Sequence, residues 1–200
     1  ILPDDYDARA YAEALGNMEA DAEAGGAFTE LGPSLWNRTT SWNPGVGRLT
    51  AIAVYPSDQN IRYVTSPGGG IWKTVTGGGT WIPLSDQNSS MMNLFSVTVD
   101  PANPGIVYTG NTSGNVYKST DGGTTWISKS SGMGTVRKIL LHPGNSNILF
   151  AVGSGIFKST DGGNTWTKTS SVSIEDIEFK PGNTSIMYAS GSTAVLRSTD

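Results

Sequence analysis

Ser119-Thr120-Asp121-Gly122-Gly123-Thr124-Thr125-Trp126 returns 40 residues later, with one change, as Ser159-Thr160-Asp161-Gly162-Gly163-Asn164-Thr165-Trp166. A degenerate copy precedes both, Thr74-Val75-Thr76-Gly77-Gly78-Gly79-Thr80-Trp81, and a fourth opens at Ser198-Thr199-Asp200. The copies are spaced by 45, 40 and 39 residues. Self-similarity at that period marks a repeat architecture in which each unit buries its faces only against its neighbours.

Working outward from the phrase, each unit shows three apolar runs before it. The first reads Leu49 to Val54, Leu94 to Val99, Val136 to Leu141 and Ile174 to Phe179, and each leads into a proline turn at Pro56, Pro101, Pro143 or Pro181. The second covers 61–65, 106–109, 148–152 and 186–189. The third covers 71–74, 116–119, 156–159 and 195–198. The Gly-rich phrase then turns the chain, and Trp81, Trp126 or Trp166 opens a fourth strand. Short alternating runs punctuated by Gly, Pro, Asn and Ser are the pattern of antiparallel β-structure. Four strands in roughly 40 to 45 residues make one β-propeller blade. The expected fold is therefore all-β, with blades at 48–93, 94–135 and 136–173 and a partial one at 174–200 that continues beyond the chain end.

Composition agrees. Gly is abundant at 26 of 200 residues and only 15% of residues are charged, so long solvated helices have little to build on. With no Cys there are neither disulfides nor thiolate metal sites. No apolar run approaches the ~20 residues that span a bilayer as a helix, and no membrane insertion is expected. The chain opens on Ile1 rather than Met, which fits removal of an upstream segment. The net charge of -4 is unevenly spread: residues 1–30 carry eight acids against Arg9 alone, leaving the rest with nine acids and twelve bases. That small excess of base is dispersed and makes no nucleic-acid footprint.

Residues 1–26 read differently. Asp4 or Asp5 caps a helix, Tyr11, Leu15, Met18 and Ala22 share one face, and Gly25-Gly26 ends it. We expect a short acidic helical leader there, with disorder as the rival reading. Residues 27–47 form a closing strand and entry segment: Ala27-Phe28-Thr29-Glu30-Leu31 echoes Thr80-Trp81-Ile82-Pro83-Leu84, and a terminal strand that completes another blade removes an exposed sheet edge.

The phrase Ser-x-Asp-x-Gly-x-Thr-Trp resembles the Asp-box, or BNR repeat, over residues 48–200. Asp-boxes occur in sialidases, xyloglucan-degrading glycoside hydrolases, sortilin-like receptors, photosystem assembly factors and secreted bacterial repeat proteins. Gly47-Arg48 before the first strand and Gly70-Ile71-Trp72-Lys73-Thr74 look most like the large secreted repeat proteins of Bacteroidetes-type bacteria, many of which leave by type IX secretion. The resemblance implies a fold more than an activity, since one scaffold carries unrelated functions.

Within the phrase, Asp121 and Asp161 are expected to accept backbone N–H groups, Ser119 and Ser159 to add a second side-chain bond, and Gly123 and Gly163 to supply positive φ. Trp81, Trp126 and Trp166 are expected to bury their rings between blades. Thr76 stands where the other copies have Asp, so a looser turn is expected there. Each Asp recurs in register without the further acids of a calcium loop, so no metal and no catalytic role is assigned to it. Lys73, Lys118, Lys158 and Arg197 share one repeat position and are expected to pack along their own blade. His142, the single histidine, falls at a variable turn position and is expected to be exposed and inert.

Glycoside hydrolysis needs two carboxylates flanking the bond. The first blade of the xyloglucan-degrading family carries a catalytic Asp in a phrase like Thr-Asp-x-Gly-Gly-x-Tyr-Arg, and here Pro67 occupies that position. Sialidases need an arginine triad, for which Arg38, Arg48 and Arg62 are available. Outside the repeat, Trp36, Arg38, Trp42 and Arg48 are the binding candidates, as aromatic and guanidinium groups suit sugars or protein hot spots. Trp36 and Trp42 could equally plug the entry to the first blade. The expected function is an exported, cell-surface or secreted bacterial binding and display scaffold for glycan or another surface or secretion protein. It needs no cofactor and packs against the remaining blades of its own polypeptide. The alternative is a xyloglucanase- or sialidase-like hydrolase with carboxylates partly outside this chain.

Overall fold

The computed structural model describes residues 48–86, 88, 90–130 and 132–199. The expected leader helix, the closing strand, and Trp36, Arg38 and Trp42 lie outside them. The described residues are all-β, arranged as four consecutive antiparallel sheets. The first comprises β1 (Ala51–Val54), β2 (Arg62–Ser66), β3 (Gly70–Thr74) and β4 (Ile82–Pro83). The second comprises β5 (Leu94–Asp100), β6 (Asn103–Asn111), β7 (Val116–Ser119) and β8 (Ile127–Ser130). The third comprises β9 (Lys138–Leu141), β10 (Leu149–Val152), β11 (Ile156–Ser159) and β12 (Thr167–Ser170). The fourth comprises β13 (Asp176–Lys180), β14 (Asn183–Ser190) and β15 (Val195–Ser198). Within each sheet the strands lie in chain order, so every connection is a hairpin.

In the first, third and fourth sheets the first strand begins two residues later than the apolar pattern suggests. In the third and fourth sheets the first of those two residues bonds across the sheet boundary, and the second stays with its own sheet. Val136 N–H donates to Asn111 O at 3.0 Å and Ile174 N–H to Gly153 O at 2.9 Å, each reaching the sheet before its own. Leu94, Val136 and Ile174 are fully buried at these crossings, whereas the equivalent Leu49 is 49% exposed because no described sheet precedes it.

The core lies between sheets. Ala53, Tyr63 and Ile71 of the first sheet pack against Leu94, Val97, Val99, Val107 and Tyr117 of the second. Tyr108 and Val116 then meet Ile139, Leu141, Leu149 and Phe157 of the third. Phe150 and Val152 meet Ile174, Ile177 and Met187 of the fourth. Burying one such aliphatic side chain contributes about 1.5–3 kcal/mol, so adhesion between neighbouring sheets dominates stability. At the outer face of the first sheet Ile52 is 62% exposed, though its repeat equivalent Val97 is buried.

Candidate binding face and the repeated turns

Two ends of each sheet differ in chemistry. One end carries the β3–β4 type turns, where the repeated phrase sits. The Ser119 hydroxyl donates to Asp121 Oδ1 at 2.8 Å and accepts Gly123 N–H at 2.8 Å. Asp121 Oδ1 also accepts Thr125 N–H at 2.8 Å, and Oδ2 accepts the Thr125 hydroxyl at 2.6 Å. Ser159, Asp161, Gly163 and Thr165 repeat every bond, at 2.8, 2.9, 2.9 and 2.6 Å. The Thr125 hydroxyl and N–H hold the Asp121 carboxyl down at about 2, and the Thr165 groups do the same for Asp161. These carboxylates are consumed by their own turns.

The first turn is not looser in connectivity. Thr74 Oγ1 accepts Gly78 N–H at 3.0 Å, and Thr76 Oγ1 accepts Thr80 N–H at 2.9 Å where an Asp oxygen accepts it elsewhere. A hydroxyl oxygen serves the same geometry; only the charge and the second oxygen are lost.

The glycines are fixed by neighbours. Gly122 and Gly123 have φ of 71° and 95°. A Cβ on Gly123 would fall 2.4 Å from Leu84 Cδ1 of the preceding sheet. The rings follow this packing: Trp126 and Trp166 are half-buried against the first and second intersheet cores. Trp166 donates Nε1–H to Gly163 O at 3.1 Å, while the buried Nε1 of Trp126 has no partner among the described residues.

The lysines do not simply pack along their own sheet. Lys118 Nζ reaches across the boundary to Gly162 O at 2.7 Å, and the Tyr108 hydroxyl donates to the same oxygen at 2.9 Å. Lys73 and Tyr63 hold Gly122 O in the same way, at 3.1 and 3.2 Å. Each ammonium lies over the ring of its tyrosine partner, at 5.3 Å for Lys73 and 5.5 Å for Lys118. Burial pushes both phenols up to about 12 and both lysines below their ordinary value. One strand pair thus grips the first glycine carbonyl of the next turn. Nothing in a linear pattern names a backbone oxygen as the partner of a lysine.

His142 is also better connected than expected. It is half-buried, its Nδ1 accepts Gly144 N–H at 3.1 Å, and its ring meets Phe179 of the next sheet edge-on at 5.2 Å.

The opposite end carries the β2–β3 type turns and the intersheet loops 84–93 and 171–175. Arg48 is exposed here, just ahead of β1, while Arg62 enters β2 at the other end, so the two arginines are not brought together. Pro67 follows β2 at the Arg48 end, and its carbonyl accepts Asn93 N–H at 2.9 Å. Sequence reasoning missed a second cluster. Arg137 lies over Phe95 at 5.6 Å and pairs with Glu175 at 2.8 Å, joining the second, third and fourth sheets. Beside it Lys138 bridges Asp176, at 2.7 Å, and Glu178. Burial opposes the Lys138 charge, but the two carboxylates outweigh it and raise its pKa. These groups lie along the mutually adjacent first strands, which with Glu178 bound an open space of about 460 Å³. Among the described residues no group of three His, Cys, Asp or Glu is placed to hold a metal ion.

The arrangement of four radially packed antiparallel sheets has counterparts among solved structures. An ancestral GH74 enzyme superposes with a TM-score of 0.68 at 21% identity, over 76% of this chain and 23% of its own. The fold is a β-propeller. The GH74 xyloglucanase from Xanthomonas campestris gives 0.64 at 18% identity over 77% and 29%, and YCF48 bound to D1 peptide gives 0.56 at 14% over 79% and 59%. The four sheets are its blades, and the chain spans about a quarter of the length of the GH74 enzymes. No family model matches the chain, and no curated relative is found by sequence. At these identities the likeness speaks to architecture alone.

Proposed function

We propose that this chain belongs to an exported bacterial propeller of Asp-box type that acts as a non-catalytic scaffold, binding glycan or protein at the end of the blades that carries Arg48. The observation that supports this most is the fate of its recurring carboxylates. Asp121 and Asp161 are bound on both oxygens by their own turns, Glu175 pairs with Arg137, and Asp176 and Glu178 share Lys138. Pro67 stands where the xyloglucan-degrading pattern has its acid. One structural neighbour is described as bound to a peptide, which is in keeping with a propeller that displays a surface. The reading extends to a secreted or cell-surface location, with type IX export as the route and a sortilin-like or display role. Trp36, Arg38 and Trp42 join Arg48 as its candidate contacts.

A second reading, glycoside hydrolysis, is favoured by the GH74 enzymes among the neighbours. A glycan and peptide array, run beside hydrolysis assays on xyloglucan, β-glucan and sialosides, separates the two. The scaffold reading expects binding without turnover, weakened by Arg48→Ala. Turnover without any retained binding partner would replace it with the hydrolase.

A further inference from the structure

The second and third blades each pack against a described blade on both sides. At the boundary they share lies a cleft of about 70 Å³, lined by Lys118, Thr120, Thr125, Ile127 and Lys129 of the second blade and Asn164 of the third. Lys118 pairs with Ile127 across the β7–β8 hairpin. The register then slips between Val116 and Tyr117, so Lys129 is the extra residue of a bulge, a device that re-aims a side chain. In the first blade the repeat equivalents of Thr120 and Lys129 are Val75 and Leu84. Leu84 packs into the core between the first two blades, its Cδ1 2.4 Å from where a Cβ on Gly123 would fall. Gly163, the matching glycine one boundary on, meets Tyr108 and Trp166 first instead. The third blade has Thr169 at this position, so the second lysine is particular to this boundary. An apolar plug has been exchanged for a cation.

The groups left to bind a ligand there are donors. Thr125 gives its hydroxyl proton to Asp121, and Asn164 gives an Nδ2 proton to the Asp161 carbonyl. Lys118 spends one N–H on Gly162 O and keeps the others. Among the described residues neither the Lys129 ammonium nor the Thr120 hydroxyl has a hydrogen-bond or ion-pair partner. Burial first and Lys129 second hold the Lys118 ammonium below its ordinary value, against the pull of Asp161 and Asp100. Those two acids are committed elsewhere, Asp161 to Thr165 and Asp100 to the Ala102 N–H. Two ammonium groups that repel across a cleft, with no carboxylate paired to either, are stabilised together by an anion.

We propose that this cleft binds a single oxyanion of the sulfate or phosphate class, held by Lys129, Lys118 and Thr120. Its volume sets the size of the ligand, since pockets for drug-sized molecules start at about 300 Å³. Only the charged group enters, and any carbon skeleton it carries leaves past the exposed Ile127. The site lies among the repeated turns, away from the Arg48 end, and does not rest on the scaffold reading.

The test titrates the isotope-labelled full chain with sodium sulfate, sodium phosphate, glucose sulfate and glucose phosphate at constant ionic strength, with chloride as the reference salt, and follows the backbone amide resonances. Saturable shifts of the Thr120, Lys129 and Asn164 amides are expected with the oxyanions and not with chloride. Tighter binding of the esters than of the free ions marks a substituted sugar as the source of the group, and the reverse order marks the free ion. Lys129→Leu, which copies the first boundary, should weaken binding about tenfold with the Tm unchanged or raised. Lys129→Gln keeps the stem without the charge and should weaken binding equally, whereas Lys129→Arg should retain it. Thr120→Val should cost about threefold. The proposal is overturned if no oxyanion gives saturable shifts, if chloride reproduces them, or if they map away from these three amides. It is overturned equally if Lys129→Leu and Lys129→Gln bind as tightly as the parent.

Discussion

Lys118 of the second blade holds Gly162 of the third, 2.7 Å from ammonium to carbonyl, and Tyr108 holds the same oxygen from the same blade. The bond joins two repeats through a residue 44 positions away. Lys118→Met keeps the stem over the Tyr108 ring and removes the donor. We expect a loss of about 1 kcal/mol in urea denaturation, and a similar loss for Tyr108→Phe. The double variant leaves the buried Gly162 carbonyl without either side-chain donor, so its loss should exceed the sum of the two by about 0.5 kcal/mol or more. Simple additivity would show that the two donors do not share an acceptor in solution.

The turns carry a pH signature. Asp121 and Asp161 titrate at about 2 when folded, below the ordinary 3.8, because the folded state binds the charged form. A depressed folded pKa contributes stability that is complete above about pH 4 and is lost as pH falls towards 2. Thermal melts across that window should show a falling Tm. Asp121→Asn and Asp161→Asn should flatten the fall while lowering the Tm at neutral pH.

The alkaline limb follows from the tyrosines. Tyr63 and Tyr108 are pushed up to about 12 by burial, so their contribution is complete below pH 10 and declines as pH rises towards 12. Tyr108→Phe should make stability less sensitive to pH over that range, measured by far-ultraviolet circular dichroism.

Thr76→Asp tests the first turn. A carboxylate there regains a second oxygen for Thr80, whose N–H and hydroxyl both already face Thr76 Oγ1. The expected gain is about 0.5–1 kcal/mol with a steeper acid limb. A neutral or destabilising result would mean that the hydroxyl version is already the better fit.

Gly123→Ala combines a positive φ with a Cβ driven into Leu84 across the blade boundary. A loss of about 1–3 kcal/mol is expected. Leu84→Ala in the same background should recover part of it by making room, which separates the clash from the backbone strain.

Much of this fold was legible in the sequence. Twelve of the fifteen strands of the described residues fall on the apolar runs, while β4, β8 and β12 follow the turn phrase as largely exposed outer strands, and the serine, aspartate and glycine roles follow from local bonds four residues long. What escaped was anything that crosses a blade boundary. Lys73 and Lys118 have backbone carbonyls as partners, which no residue pattern encodes. His142 sits at a turn whose occupant varies between repeats, yet it meets Phe179 because that strand belongs to the next blade. Thr76 differs from Asp on paper but shares the one oxygen that the turn needs. For the candidate site the sequence isolated Arg48, while Arg137 and Lys138 were hidden among strand residues, and only the radial packing brings Phe95, Glu175, Asp176 and Glu178 to them.

The most direct measurement is a paired assay of the parent chain and the Asp121→Asn, Asp161→Asn double variant on xyloglucan, β-glucan and sialoside panels, with Tm recorded for both. The repeated carboxylates are structural in this account. It predicts no turnover by either protein and a lower neutral-pH Tm for the variant. Turnover by the parent that the variant loses while its Tm is unchanged would contradict it.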